Sequence, residues 1–405
     1  MKRNSRGLRL RSNQIIQPTV KLTNSHKPMP VQATTNSQHR YTQLDSLRGL
    51  AALFVFFTHY LGAQIASPSF NVIKKTPLGV LFNGNAAVMF FFVLSGFVLS
   101  LPFVSGDKPL KLTAFYLKRI FRIYPAFIFA ILFSLLLKEF VFNNAAMAHY
   151  ANGPNFWNWG WTHDNLTQFW HTLLLIGPGF NNSLIDPPIW SLVIETGMSV
   201  LLPFFIMIVA RGSAMLNIIL LFAIIYLTYQ HDAWALPVFY TGILMAKYKV
   251  YLVGNVGAWS VFRLIIIVCT AILLYNNGYE FSIFIQSIAL SAKYTFSSYL
   301  MAMGSCIIII IVLARANISA FFQRRIFTFL GDISYSFYLI HVPLLLTTTS
   351  LLINRYALSP IYIFLLTLLL AVGISYLMFI FIEKPFQKIA AKLTRKYKLL
   401  NAIRI

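Results

Sequence analysis

The sequence predicts an all-α fold: a polytopic transmembrane helical bundle of about ten spans with both termini cytoplasmic. Three observations predict it. The 405 residues are 58% hydrophobic and only 11% charged, too little charge to cover a soluble domain of this size. The apolar residues gather in runs of about 20, the length that crosses a bilayer as a helix. Lys and Arg are dense in every second loop, as the positive-inside rule requires of a chain that threads back and forth.

Ten runs qualify, at about 45–66, 79–101, 116–138, 190–210, 213–230, 233–247, 259–275, 294–314, 330–353 and 359–383. The sixth is short. HTLLLIGPGF at 171–180 is too short to span and reads as re-entrant or interfacial. With the N-terminus inside, 28 of the 33 Lys and Arg residues fall on the cytoplasmic side and 5 outside. The long stretch 139–189 has none. An eleventh span after residue 180 would break the alternation.

The net charge of +23 raises the question of a nucleic-acid partner. The basic residues flank apolar runs and form no single stripe, so none is expected; membrane lipid is the expected partner. The first 40 residues are polar and basic and lack the apolar core of a signal peptide. They read as a disordered cytoplasmic arm, 1–40. A membrane domain over 41–388 follows, then a basic cytoplasmic tail, 389–405, on the inner membrane surface. The expected location is the plasma (inner) membrane, crossed many times. Cys269 and Cys306 both lie in apolar runs and have neither metal spacing nor a disulfide framework. No metal is expected.

Ionisable residues inside apolar runs are costly and face a cavity or a partner. In the first run, Asp45, Arg48 and His59 lie within about 60° of one another at 100° per residue. His59 is roughly 21 Å along the axis from Asp45. The third run opens YLKRIFRIYPAF, placing Lys118 and Arg122 at i,i+4 and Arg119 and Arg122 at i,i+3. Such a cluster suits phosphate oxygens, and equally an ordinary cytoplasmic anchor. In DPPIWSLVIETG, Trp190 and Ser191 precede Glu195, the acidic residue of that apolar run.

The ninth run, GDISYSFYLIHVP, holds Tyr335 and a second buried histidine, His341, suited to packing or hydrogen bonding. Glu383, before Pro385, ends the tenth run, where it pairs with an entrance Arg or anchors the interface. Ser95 and Gly96 in FFVLSGFVLS are small residues that permit close helix approach. Trp157, Trp159 and Trp161 alternate in the outer loop. Such rings stack on the apolar face of a sugar or form an interfacial belt.

Taken in order, LDSLRGLAALFVFFTHY, FFVLSGFVLS, KRIFRIYP, PPIWSLVIETG, GDISYSFYLIH and IEKP resemble the acyltransferase-3 family of integral membrane enzymes, over about 41–388. The resemblance implies transfer of an acyl group, usually acetyl, from acyl-CoA (acetyl-CoA) to a hydroxyl of a cell-envelope glycan or an exported small molecule. It implies that His59 is the essential first-span histidine, with Asp45 and Arg48 completing its motif. Arg119 and Arg122 match the paired-arginine positions, and Trp190, Ser191 and Glu195 the tryptophan–glutamate motif. On that footing Lys118, Arg119 and Arg122, with Arg48, hold the phosphates of coenzyme A. His59 serves as general base or acyl carrier, and Glu195 orients the acceptor or polarises His59. Asp45 pairs with Arg48, while Trp190, Ser191 and the three loop tryptophans contact acceptor. The rival reading is a proton-coupled transporter or flippase of envelope precursors, with His59, Glu195 and His341 as a proton path. The chain shows no halves with matching broken helices to favour it.

Overall fold

A computed structural model describes residues 41–64, 76–105, 109–142, 166–175, 185–229, 233–284, 290–356 and 360–396. Residues from Tyr41 onward belong to one compact unit. The elements, in order, are α1 (Thr42–Gln64), a 3₁₀ turn (Pro77–Phe82), α2 (Gly84–Val104), α3 (Leu112–Phe140) and α4 (Leu166–Leu174). Then come α5 (Ile189–Arg211), α6 (Ala214–Tyr229), α7 (Ala235–Lys247), α8 (Lys249–Gly257), α9 (Val261–Phe284) and α10 (Leu290–Ala314). Last are α11 (Ala316–Phe322), α12 (Arg325–Tyr356), α13 (Pro360–Met378), a π-helical turn (Phe379–Glu383) and α14 (Lys384–Lys396). No β-strand occurs among the described residues.

Each of the ten apolar runs forms a helix: α1, α2, α3, α5, α6, α7, α9, α10, α12 and α13. Six helical stretches, those of α2, α3, α5, α10, α12 and α13, are long and apolar enough to cross a membrane. The apolar stretches of α6, α7 and α9 are shorter. The first run, α1, has 23 residues and carries Asp45 in its first turn. The interfacial stretch begins as the short helix α4, and its remainder lies outside the described residues. So do the arm 1–40 and Trp157, Trp159 and Trp161. α14 is continuous across the domain boundary expected at 388, so the basic tail starts as helix.

α1 lies at the centre because it contributes to both large apolar clusters. Its Leu44 and Val55 pack with Leu94 and Phe97 of α2, Phe239 of α7 and Ile309 of α10. Its Phe56 packs with Phe127 of α3, Ile189 of α5, Leu339 of α12 and Ala371 of α13. Lipid tails are as apolar as these side chains, so close van der Waals approach, rather than escape from water, holds such helices together. Glycines set two of the closest approaches. A Cβ on Gly331 of α12 would stand 2.5 Å from the Asp45 carbonyl oxygen of α1. A Cβ on Gly96 of α2 would collide with the Phe239 carbonyl oxygen of α7, and one on Gly242 with the Val93 carbonyl oxygen. The first crossing presses the Asp45–Arg48–His59 side of α1 toward α12.

Two residues that signal topology also close helix ends, where carbonyls lack donors. Lys247 donates from Nζ to the carbonyl of Val209 at 2.7 Å and to that of Gly212, at the end of α5. Arg315 donates to the carbonyls of Val256, at the end of α8, and Trp259, just past it, at 3.1 and 2.6 Å. The π-helical turn after α13 adds a residue to one turn, and its last member, Glu383, is buried.

Candidate functional site

Four helices meet at one cavity, and three of them bring charge to it. α1 supplies Asp45 and Arg48, α3 supplies Arg119 and Arg122, α5 supplies Ser191 and Glu195, and α12 supplies Tyr335 and Tyr338. Ser95 of α2 lines the same cavity. Asp45 and Arg48 form an i,i+3 ion pair at 2.8 Å, so Asp45 offsets the charge of its neighbour. Arg119 donates from Nη2 to Glu195 at 2.7 Å. It also donates to the Ser199 hydroxyl, from Nε at 3.1 Å and from Nη2 at 2.7 Å. Ser199 in turn donates to the Glu195 carbonyl oxygen at 2.7 Å. Three guanidiniums face two carboxylates, which leaves the cavity basic. Arg122 is exposed and forms no ion pair among the described residues.

Several expected members stand elsewhere. Lys118 is exposed and does not line the cavity. It flanks Arg122 on the helix side opposite Arg119, and only the Arg119 side faces inward. Trp190 is 39% exposed, with its ring 6.5 Å from that of Trp234; its neighbour Ser191 turns inward. Glu195 is bound to Arg119, while the His59 ring has His341 as a partner. Glu383 accepts from the N–H and hydroxyl of Ser336, at 3.2 and 2.5 Å, in place of an ion pair with an entrance Arg. Gly96 sits at the α2–α7 crossing, while Ser95 faces the cavity.

The cavity is closed on one side by Tyr338. Its hydroxyl shares a 2.7 Å hydrogen bond with Ser191 and lies 3.4 Å from the Pro188 carbonyl oxygen. Tyr335 donates to the Ile123 carbonyl oxygen at 2.9 Å. One turn past Tyr338 on α12 is His341, its ring 5.6 Å from that of Tyr338. His59 and His341 are not among the residues that line the cavity. They form a pair beside it, with Nδ1 of His59 2.9 Å from Nε2 of His341. The ring planes differ by 8° and the centroids are 5.1 Å apart. That separation exceeds the nitrogen–nitrogen distance by about two ring radii. The rings therefore meet edge to edge, nearly in one plane, as an in-plane N–H bond requires. Phe56 and Phe337 pack around His341, with centroids 6.4 and 6.1 Å away.

Sequence reasoning missed four residues. Tyr338 stands midway between Tyr335 and His341 at three-residue spacing, a signal available on one helix face. Ser199 is i+4 from Glu195, also on one face. Ser336 carries no signal of its own. Asp186, in the turn before α5, is fully buried, and among the described residues neither carboxylate oxygen has a hydrogen-bond partner. Burial pushes its carboxyl well above the usual carboxylate range. Among the described residues, no group of three or more His, Cys, Asp or Glu is placed to hold a metal ion.

A bundle of apolar helices that carries a basic cavity and, farther along one of the cavity helices, a histidine pair defines a class: a multi-pass integral membrane protein with ionisable groups in its interior. Comparison with protein families matches residues 41–380 to the family described as an acyltransferase domain. That match covers most of the chain, and the chain belongs to the acyltransferase-3 family of membrane acyltransferases. Comparison with curated proteins and with solved structures finds no match.

Proposed function

We propose that this chain moves an acyl group, acetyl in the simplest case, from acyl-CoA to a hydroxyl of an envelope glycan or exported small molecule. The observation that carries the proposal is the alignment of two chemistries along α1. Arg48, Arg119 and Arg122 line one cavity. His59 lies farther along the same helix, at about 16 Å for the rise of an α-helix. A donor with anionic phosphates at one end, a long arm and a thioester at the other matches that separation.

In this reading acyl-CoA enters from the cytoplasm, with both chain termini on that side and the protein in the plasma membrane. Arg122, exposed and in no ion pair among the described residues, takes phosphate oxygens first. Arg48 and Arg119, held by Asp45 and by Glu195 and Ser199, contribute fixed positive charge. Planar guanidiniums suit this task, because they offer paired donors to tetrahedral oxyanions. The acceptor hydroxyl is too weak an acid to attack unaided. His59 takes its proton as the new C–O bond forms and the C–S bond breaks. It then returns that proton to the coenzyme A thiolate. A positioned base of this kind contributes about 10²- to 10⁴-fold. The tryptophans of the 139–189 stretch offer stacking faces for a sugar acceptor.

The test uses the full chain in lipid nanodiscs with acetyl-CoA. Appearance of free coenzyme A thiol that depends on an added envelope glycan fraction is the expected result. Movement of an envelope precursor across vesicles with no coenzyme A released would replace this reading with the transporter.

A further inference from the structure

The geometry points to His341 as a positioning residue that fixes which nitrogen of His59 carries the proton, so that the lone pair stands at Nε2. This rests on His59 acting as the base of the proposed reaction, but the tautomer can be read without turnover.

The argument starts at the far end of the pair. Nδ1 of His341 lies 2.7 Å from the Tyr338 carbonyl oxygen and 3.2 Å from that of Phe337. A carbonyl oxygen only accepts, so this nitrogen must carry a hydrogen. The described neighbours of the ring are two carbonyls, one imidazole and aromatic rings, and none is negative. His341 is fully buried, and an unpaired charge there is expensive. The ring is therefore neutral, and its Nε2 is bare. A bare Nε2 facing Nδ1 of His59 at 2.9 Å demands a hydrogen on that Nδ1. Otherwise two lone pairs would face each other in the plane of both rings. A neutral imidazole carries one N–H, so the lone pair of His59 is left at Nε2.

Both nitrogens of His341 are thus committed, one to carbonyls and one to His59. It does not itself take a substrate proton. When Nε2 of His59 accepts the hydroxyl proton, the imidazolium that forms keeps its Nδ1–H aimed at His341 and gains a stronger hydrogen bond, since one partner is now charged. Histidine tautomers are set in this way by the bond made at the other ring nitrogen. Two short links anchor the arrangement. The Gly331 contact holds α12 against α1, and the aromatic rings of Phe56 and Phe337 fill the space around His341.

The test is nitrogen NMR of histidine-labelled full chain in nanodiscs, with the His59 signals assigned by their loss in His59→Gln. In the wild type, His59 should show a protonated Nδ1 and a bare Nε2. In His341→Phe, which keeps an aromatic ring but removes the acceptor, that pattern should shift toward Nε2–H or average between the two. Turnover with acetyl-CoA should fall by about 10²- to 10⁴-fold in kcat, the scale of a positioned base, with KM unchanged. His341→Gln, whose amide oxygen can accept from Nδ1–H, should retain the wild-type tautomer and recover part of kcat; it also serves if His341→Phe does not fold. A wild-type His59 protonated at Nε2, or a tautomer that is the same in His341→Phe, would overturn the inference. If the wild type consumes no acetyl-CoA, the enzymatic reading falls, and the nitrogen spectrum still decides the tautomer.

Discussion

Arg119 of α3 and Glu195 of α5 form an ion pair at 2.7 Å whose cation is almost fully buried and whose anion keeps a quarter of its exposure. The pair is seventy-six residues apart in sequence. Because Arg119 also binds Ser199 through two nitrogens, it is a fixed strut between two helices before it is a ligand for anything else.

Removing the cation should therefore destabilise more than it weakens donor binding. Truncating one member of a fully buried pair costs about 3–5 kcal/mol. The partial exposure of Glu195 lowers that to roughly 2–3 kcal/mol, because water compensates part of the stranded charge. Arg119→Ala should unfold at a lower temperature in detergent. Adding Glu195→Gln should return part of the loss, since no unpaired carboxylate then remains. A double variant no more stable than Arg119→Ala would show that the pair does not couple.

Arg122 should behave in the opposite way. It is exposed, unpaired among the described residues and at the cavity. Arg122→Ala should leave thermal stability within about 0.5 kcal/mol, as expected for a surface change. The KM for acetyl-CoA should rise about tenfold, equivalent to about 1.4 kcal/mol. The salt dependence of KM should flatten, because one charge–phosphate contact is lost. Steady-state kinetics at two ionic strengths check this.

These two arginines mark how far the sequence could be read. Run length located ten of the fourteen described helices, because a bilayer demands long apolar runs. Helical periodicity put Asp45, Arg48 and His59 on one side of α1; Asp45 and Arg48 line the cavity, and His59 stands beside it. What periodicity cannot supply is the helix that a given face meets. Lys118 and Arg119 both neighbour Arg122 on α3, and only the packing of α3 against α5 and α12 selects Arg119. His341, which meets His59, lies 282 residues away, brought in by the close approach of α1 and α12 at Gly331. Glu383 looked available to an arginine; it ends the π-helical turn, and its carboxylate accepts from Ser336 of α12, a helix that its own run does not name.

Asp186 provides a pH prediction independent of catalysis. Its carboxyl is raised by burial, the folded state therefore holds its proton longer than the unfolded state does. Above the unfolded value of about 3.9, the unfolded chain releases this proton and the folded chain keeps it. The group's contribution to stability thus declines as pH rises, by about 1.4 kcal/mol per pH unit, until the folded carboxyl also ionises. Asp186→Asn removes the titration. The difference in thermal midpoint between variant and wild type should move in favour of the variant from about pH 5 to about pH 7. A difference that stays flat over that range would mean Asp186 is not held protonated.

The central claim is that His59 performs the proton transfer in an acyl-CoA-dependent reaction. The most direct measurement follows radiolabelled acetyl from acetyl-CoA into an envelope glycan fraction, using wild type and His59→Ala in nanodiscs. Both should be checked for folding by thermal midpoint. The account predicts label transfer by the wild type and its loss, by at least about 10²-fold, in a folded His59→Ala. Equal transfer by the two proteins would contradict it.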